Sequence, residues 1–127
     1  MKWIVDTHAF LWFVAGQDRL GPDALKIMAA NDSELYLSAG SVWEMAIKVS
    51  LGRLQLQDPF ETFLTERMEE GVRWLPVELK HLFSVASLPF HHRDPFDRLI
   101  IAQALCEELP ILTRDPIFKA YGVHTVW

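Results

Sequence analysis

The 127-residue chain holds a single cysteine, Cys106, which has no intrachain partner, so a disulfide framework is excluded. Lying in an apolar stretch, that thiol is expected to be a small buried hydrophobe in a protein of a reducing compartment, and cytoplasmic location follows. No apolar run spans a bilayer: the one after Asp6, from Ala9 to Ala15, is too short for a membrane helix or a signal core, and no targeting segment is evident. Repeats, low-complexity tracts and linkers are missing too. There is no cluster of His and Cys at zinc spacing. Positive charge is scarce as well, because 12 Lys and Arg face 17 Asp and Glu, for a formal net charge of −5. An overall positive field for nucleic acid is thereby excluded, although two divalent cations on a set of acids would bring the total to −1 and leave scattered cations free for phosphates.

What remains is a half-apolar chain of one-domain size, expected to form a single domain over residues 1–127 with a core that needs no staples. Residues 2–5 read as a strand that ends at Asp6, followed by a helix closed by Gly16 and a second from Pro22 to Ala30. A strand over 34–37 leads to Ser38, and a helix over about 42–51 stops at Gly52. Asp58 and Pro59 open a helix to Glu70, and a third strand covers 72–77. A short helix over 78–87 and a loop over 88–93 precede an apolar helix from Asp94 and Pro95 to about Glu108. Strands over 111–113 and 123–126 flank a helical turn at 116–121. This alternation predicts an α/β fold, a three-layer α/β/α sandwich around a central parallel sheet of four or five strands.

Each acid near a helix start has a local explanation. Asp6, Asp94 and Asp115 stand where N-caps stand, and Ser41 with Glu44 fits a capping box, Glu44 also facing Lys48 one turn on. The topology argues for more, because strand C-termini and the helix starts that follow them share one edge of an open parallel sheet. Asp6, Glu44, Asp97 and Asp115 all map to that edge, which leaves Asp94 as the cap of its helix and Asp97 as the functional member of the pair. Carboxylates brought that close repel, and all-oxygen donors favour Mg²⁺ or Mn²⁺ and point to a phosphodiester substrate.

Four segments then resemble the PIN-domain ribonucleases and, within them, the VapC-like toxins of type II toxin-antitoxin pairs. They are Ile4 to His8, Ser38 to Glu44 with its Trp43, His92 to Leu99, and Leu112 to Asp115, in an order that covers nearly the whole chain. The resemblance implies a metal-dependent endoribonuclease whose metal-site acids are Asp6, Glu44, Asp97 and Asp115. It also implies a small antitoxin encoded by the neighbouring gene, and a homodimer. Asp6 and Asp97 are expected to be the principal ligands, with Glu44 and Asp115 on a second ion or on ligand waters and Thr113 positioning Asp115. Arg93, Arg98 and Arg114 stand beside the acids, either to grip phosphates or to hold carboxylates apart. His91 and His92, adjacent in a polar loop, are expected to be solvated or bonded to the backbone rather than catalytic. The aromatic residues near the N-terminal helices suggest an apolar groove for a partner helix. Two other classes compete: a receiver-like signalling module, disfavoured because the third strand runs out through Val77 and Glu78 without an Asp, and a PIN-like scaffold that only binds partners.

Overall fold

A computed structural model describes all residues, 1–127. Five parallel strands, β1 (Lys2–Val5), β2 (Glu34–Ser38), β3 (Arg73–Leu75), β4 (Ile111–Leu112) and β5 (Thr125–Val126), form one sheet in the order β3-β2-β1-β4-β5. The helices are α1 (Thr7–Ala15), α2 (Pro22–Ala29), α3 (Ala39–Ser50), α4 (Phe60–Glu69), α5 (Leu79–Ser87) and α6 (Pro95–Glu107), and a 3₁₀ turn spans Pro116–Tyr121. The α/β fold with helices on both faces is therefore the expected one, with five strands. The order 3-2-1-4-5 differs from the 2-1-3-4-5 order of receiver modules, which removes that alternative.

Alternation along β1 builds both cores. Trp3 and Val5 point to one face, where they meet Ala9 and Phe10 of α1, Met28 of α2, Met45 of α3 and Phe63 of α4. Ile4 points to the other and packs with Ile100, Ile101 and Ala104 of α6, Ile111 of β4 and Phe118 of the 3₁₀ turn. Burial on both faces explains why the strands read as continuous apolar runs. The first two crossovers extend the sheet outward from β1 to β3, and the third, through α5 and α6, returns to place β4 on the opposite side of β1. The direction of winding reverses between β1 and β4, and in open parallel sheets the crevice at such a point is where ligands bind.

Two helix starts depart from expectation. Helix α3 begins at Ala39, three residues early, because the Ser38 hydroxyl accepts the Gly40 N–H at 3.0 Å and caps it. The capping box between Ser41 and Glu44 does not form; Ser41 is buried and its Oγ accepts a hydrogen bond from Thr7 Oγ1 at 2.8 Å. Helix α4 begins at Phe60, with Pro59 in the cap position instead of Asp58 at its start. Cys106, half-buried on α6 with its thiol 3.7 Å from the Lys80 carbonyl, is less enclosed than expected.

Close approach of α3 to α6 sets the distance between the two helices that carry acids. A Cβ on Gly40 would lie 2.8 Å from a Leu99 methyl, so the helices meet where no side chain stands between them. Beside that contact, the fully buried Gln103 of α6 accepts the Ser38 hydroxyl proton and donates to the Pro76 carbonyl at 3.2 Å. One side chain thus ties α6 to the ends of β2 and β3. Gln103→Leu leaves Ser38 and Pro76 without their partner in a buried setting, and a loss of about 1–3 kcal/mol is expected, read as a lower midpoint in chemical denaturation with the slope unchanged.

Candidate metal centre at the sheet edge

Backbone pairing puts the first two site residues side by side. Val5 registers with Leu112, so Asp6 and Thr113, the next residue on each strand, emerge together from the C-terminal edge. Asp6 stands in the N-cap position of α1, yet its carboxylate makes no capping bond; Oδ2 instead accepts the Thr113 hydroxyl proton at 2.8 Å. The same Thr113 oxygen accepts the Asp115 N–H at 3.1 Å, so this hydroxyl positions both acids, one more than expected. Asp6 is only 7% exposed and its Oδ1 is buried without any partner. Burial, partly offset by the Thr113 hydrogen bond, raises its pKa above the ordinary value.

Helix α6 supplies Asp97 as its third residue. Asp94 Oδ1 accepts the N–H groups of Phe96 and Asp97, at 2.8 and 3.2 Å, which caps the helix and leaves the Asp97 carboxylate out of the capping. Asp97 is pushed up to about 8, first by burial and then by the charges of Asp6, Asp94, Glu44 and Asp115. Asp115 divides its oxygens between two tasks: Oδ1 caps the 3₁₀ turn by accepting the Ile117 N–H at 2.9 Å, and Oδ2 faces the cavity. Glu44, buried on α3, pairs with Lys48 at 3.2 Å, and its charge reaches both Asp6 and Asp97. Of the candidate acids, then, Asp6 and Asp97 are free of capping duty, Asp115 combines a cap with the site, and Glu44 lies behind the other three with a cation at its back.

His92 is bonded to the backbone, one of the two expected outcomes, but it also meets the acids, which was not expected. Its Nε2 lies 3.0 Å from Asp97 Oδ2 and 3.2 Å from Asp115 Oδ2, and its Nδ1 accepts the Asp94 N–H at 3.1 Å. With Nδ1 an acceptor, the proton of the neutral ring sits on Nε2, and His92 acts here as a donor to the acids. The sequence held one signal for this, since His92 stands two residues before the cap of α6 and so within reach of its backbone. His91 is exposed and packs edge-on against Tyr121.

Arg98 also departs from expectation, being neither a phosphate grip nor a spacer between carboxylates. It is 6% exposed, and its guanidinium donates to the carbonyls of Val85, Leu88 and Pro89 at 2.8 to 3.2 Å while lying over the Phe90 ring. It holds the 88–92 loop, and with it His92, against α6. Arg93 is exposed. A second cluster, Glu78, His81 and Glu107, joins α5 to α6 and is fully engaged: His81 Nδ1 accepts the Glu78 N–H and Nε2 contacts Glu107 at 2.9 Å.

A cavity of about 360 Å³ opens over these acids, and Asp6, Asp97 and Asp115 share its lining with His8, Trp12, Arg114 and Trp127. The residues fit a hard divalent cation. The acids offer oxygen alone, one buried oxygen of Asp6 lacks any partner, and burial together with the neighbouring acids favours a proton on Asp97 that a cation would replace. Asp97 Oδ2 and Asp115 Oδ2 are already close, both lying within 3.2 Å of the same His92 Nε2. Asp6, Asp97 and Asp115, with Glu44 behind them, could hold such an ion.

Residues 3–123 match the family model of the PIN domain, and the chain belongs to the PIN-domain family. Solved structures agree on the fold. A chain of the VapBC2 complex of Rickettsia felis, bound to a promoter DNA fragment, is similar at TM-score 0.75 and 15% identity, covering 99% of this chain and 98% of its own. FitAcB of Neisseria gonorrhoeae aligns at TM-score 0.68 and 22% identity over 100% and 97% of the two chains. A toxin–antitoxin complex of Klebsiella pneumoniae aligns at 0.66 and 15% over 98% and 96%. No curated protein matches the chain by sequence.

The raised pKa of Asp97 gives a signed prediction for the metal-free protein. An unfolded carboxyl titrates near 3.8 and the folded one near 8, so between those values the native state binds more protons and stability falls as pH rises. Asp97→Asn is expected to flatten that fall, measured as the denaturation midpoint in EDTA from mildly acidic to neutral pH.

Proposed function

We propose that this chain is a metal-dependent endoribonuclease that hydrolyses RNA phosphodiester bonds and serves as the toxin of a toxin-antitoxin pair. The observation that carries the reading is the meeting of Asp6, Asp97 and Asp115 at the reversal point of the sheet, with one buried oxygen of Asp6 left without a partner. Membership of the PIN-domain family, whose members are typically nucleases, supports it.

Asp6 and Asp97 would be the principal ligands of Mg²⁺ or Mn²⁺, with Glu44 and Asp115 completing the charge around it. Such an ion supplies an acidified water and compensates charge developing on phosphate and leaving oxygen. Thr113 keeps Asp6 and Asp115 at fixed spacing, and Asp94 orients Asp97 by taking up the backbone donors that would otherwise compete for it. His92 holds a proton on Nε2 at the edge of the cavity, within hydrogen-bond distance of Asp115. No covalent protein intermediate is needed.

The relatives of known structure include chains from toxin–antitoxin complexes, in keeping with a small antitoxin as partner. A groove lined by Leu11, Trp12, Val14, Leu54, Leu56 and Phe63 offers an apolar seat for a partner helix. On α5, Leu79, Leu82 and Phe83 form an exposed apolar face suited to a second copy of the chain, consistent with the expected homodimer. No helix is long and apolar enough to cross a membrane, and cytoplasmic location stays part of the proposal.

Purified protein incubated with RNA is expected to give internal cuts in Mg²⁺ or Mn²⁺ and none in EDTA. Asp6→Asn and Asp97→Asn should each lower the rate by about 100-fold or more, since even residues that only support metal ligands cost 10- to 100-fold. RNA left intact under every divalent cation, with the protein folded, overturns the enzyme reading in favour of a binding scaffold.

A further inference from the structure

The cavity carries more than acids. Of the basic residues near the site, Lys48 is paired with Glu44, Arg98 is spent on backbone carbonyls, His92 donates to Asp97 and Asp115, and exposed Arg93 does not line the cavity. Arg114 is different. It is exposed, lines the cavity and, although it precedes Asp115, forms no ion pair; its guanidinium lies 5.2 Å from the centre of the Trp12 ring. A guanidinium held on an aromatic ring keeps its N–H edges free, and that planar fork matches two phosphate oxygens.

The ring beneath it is itself fixed in place. Trp12 meets Trp127 edge-on at 5.9 Å and His8 at 5.7 Å. Trp127 in turn sits against Gly21, where an added Cβ would come within 2.4 Å of the Trp127 carbonyl carbon, a position that admits only glycine. Gly21, Trp127 and Trp12 thus form a buttress under Arg114; Arg19 also lies over the Trp12 ring, at 5.7 Å, but only Arg114 lines the cavity.

We propose that Arg114 is the phosphate anchor for the RNA strand in this cavity, and that Trp12 is its positioning residue. The inference rests on the nuclease reading and adds to it the group that holds the polyanion. A chain of net charge −5 has no general field to attract RNA, so its grip depends on a few local cations, and this one lines the same cavity as the acids. Lengths of single-stranded RNA are the occupant; an acidic segment of a protein partner is the competing one.

The test uses full-length protein carrying Asp6→Asn, which suppresses cutting, and a labelled single-stranded RNA whose binding is followed by fluorescence anisotropy over a range of salt. Arg114→Gln is expected to weaken binding about 5- to 10-fold at low salt and to lower the slope of log affinity against log salt by about 1, the mark of one lost phosphate contact. Trp12→Leu should lose the same slope while Trp12→Phe retains it, a distinction that loss of packing alone does not produce. Mn²⁺ affinity and the thermal midpoint of Arg114→Gln, measured without Asp6→Asn, should match the parent. A wild-type slope in Arg114→Gln overturns the anchor, and if RNA is still cut by the unsubstituted protein the nuclease reading survives. Loss of binding to a protein partner with RNA binding unchanged also overturns it. An unsubstituted protein that neither cuts nor binds RNA overturns both.

Discussion

Carboxylates forced together by strand pairing are the constraint on which the rest of this molecule turns. The register of β1 with β4 fixes Asp6 beside Thr113, and the capped start of α6 brings Asp97 to the same cavity. Burial first, and then the neighbouring charges, push the Asp97 carboxyl up to about 8, so a charge placed here opposes the fold. The apolar cores on both faces of the sheet, built around Ile4, Ile100 and Ile111 on one side and Val5, Met45 and Leu112 on the other, supply the stability that tolerates it. Strain of this kind concentrates where a ligand relieves it, and a divalent cation relieves it directly.

Most of the polar residues buried near the edge serve to keep the acids where they are. Gln103 ties α6 to the ends of two strands, Thr7 reaches Ser41 across from α1 to α3, and Arg98 gathers the carbonyls of the loop that delivers His92. Each of these groups is satisfied, so none weakens the core it sits in. Asp6 Oδ1 is the exception, and it belongs to a residue that lines the cavity. A buried oxygen without a donor inside an otherwise satisfied network distinguishes a place prepared for a cation from a merely acidic surface.

The cavity combines two kinds of chemistry. Asp6, Asp97 and Asp115 share its lining with Trp12, Trp127 and Arg114, so a phosphodiester bound there would meet both compensated charge and a cation. In a chain of net charge −5 the cations count by where they stand: Arg114 lines the cavity, while Lys48, paired with Glu44, does not.

The order of elements and the α/β/α layering were legible in the sequence because the apolar runs, Gly16, Gly52 and Gly122 as stops and the prolines at helix starts are local signals, read within a few residues. The positions of Asp6, Asp97 and Asp115 along one edge followed from that order. Helix caps were read less well, since Ser38 and Ser41 both offer a hydroxyl and only the packing of Gly40 against Leu99 settles which one starts α3. The role of Arg98 and the contact of His92 with the acids lay beyond the sequence, because a side chain in or beside a loop can turn to any of several partners; for Arg114 the sequence offered two roles without choosing between them. The sequence by itself determined which residues carry charge and on which edge they emerge; the tertiary structure decided which charges meet, because contact across strands and helices far apart in the chain is set by packing and register rather than by spacing.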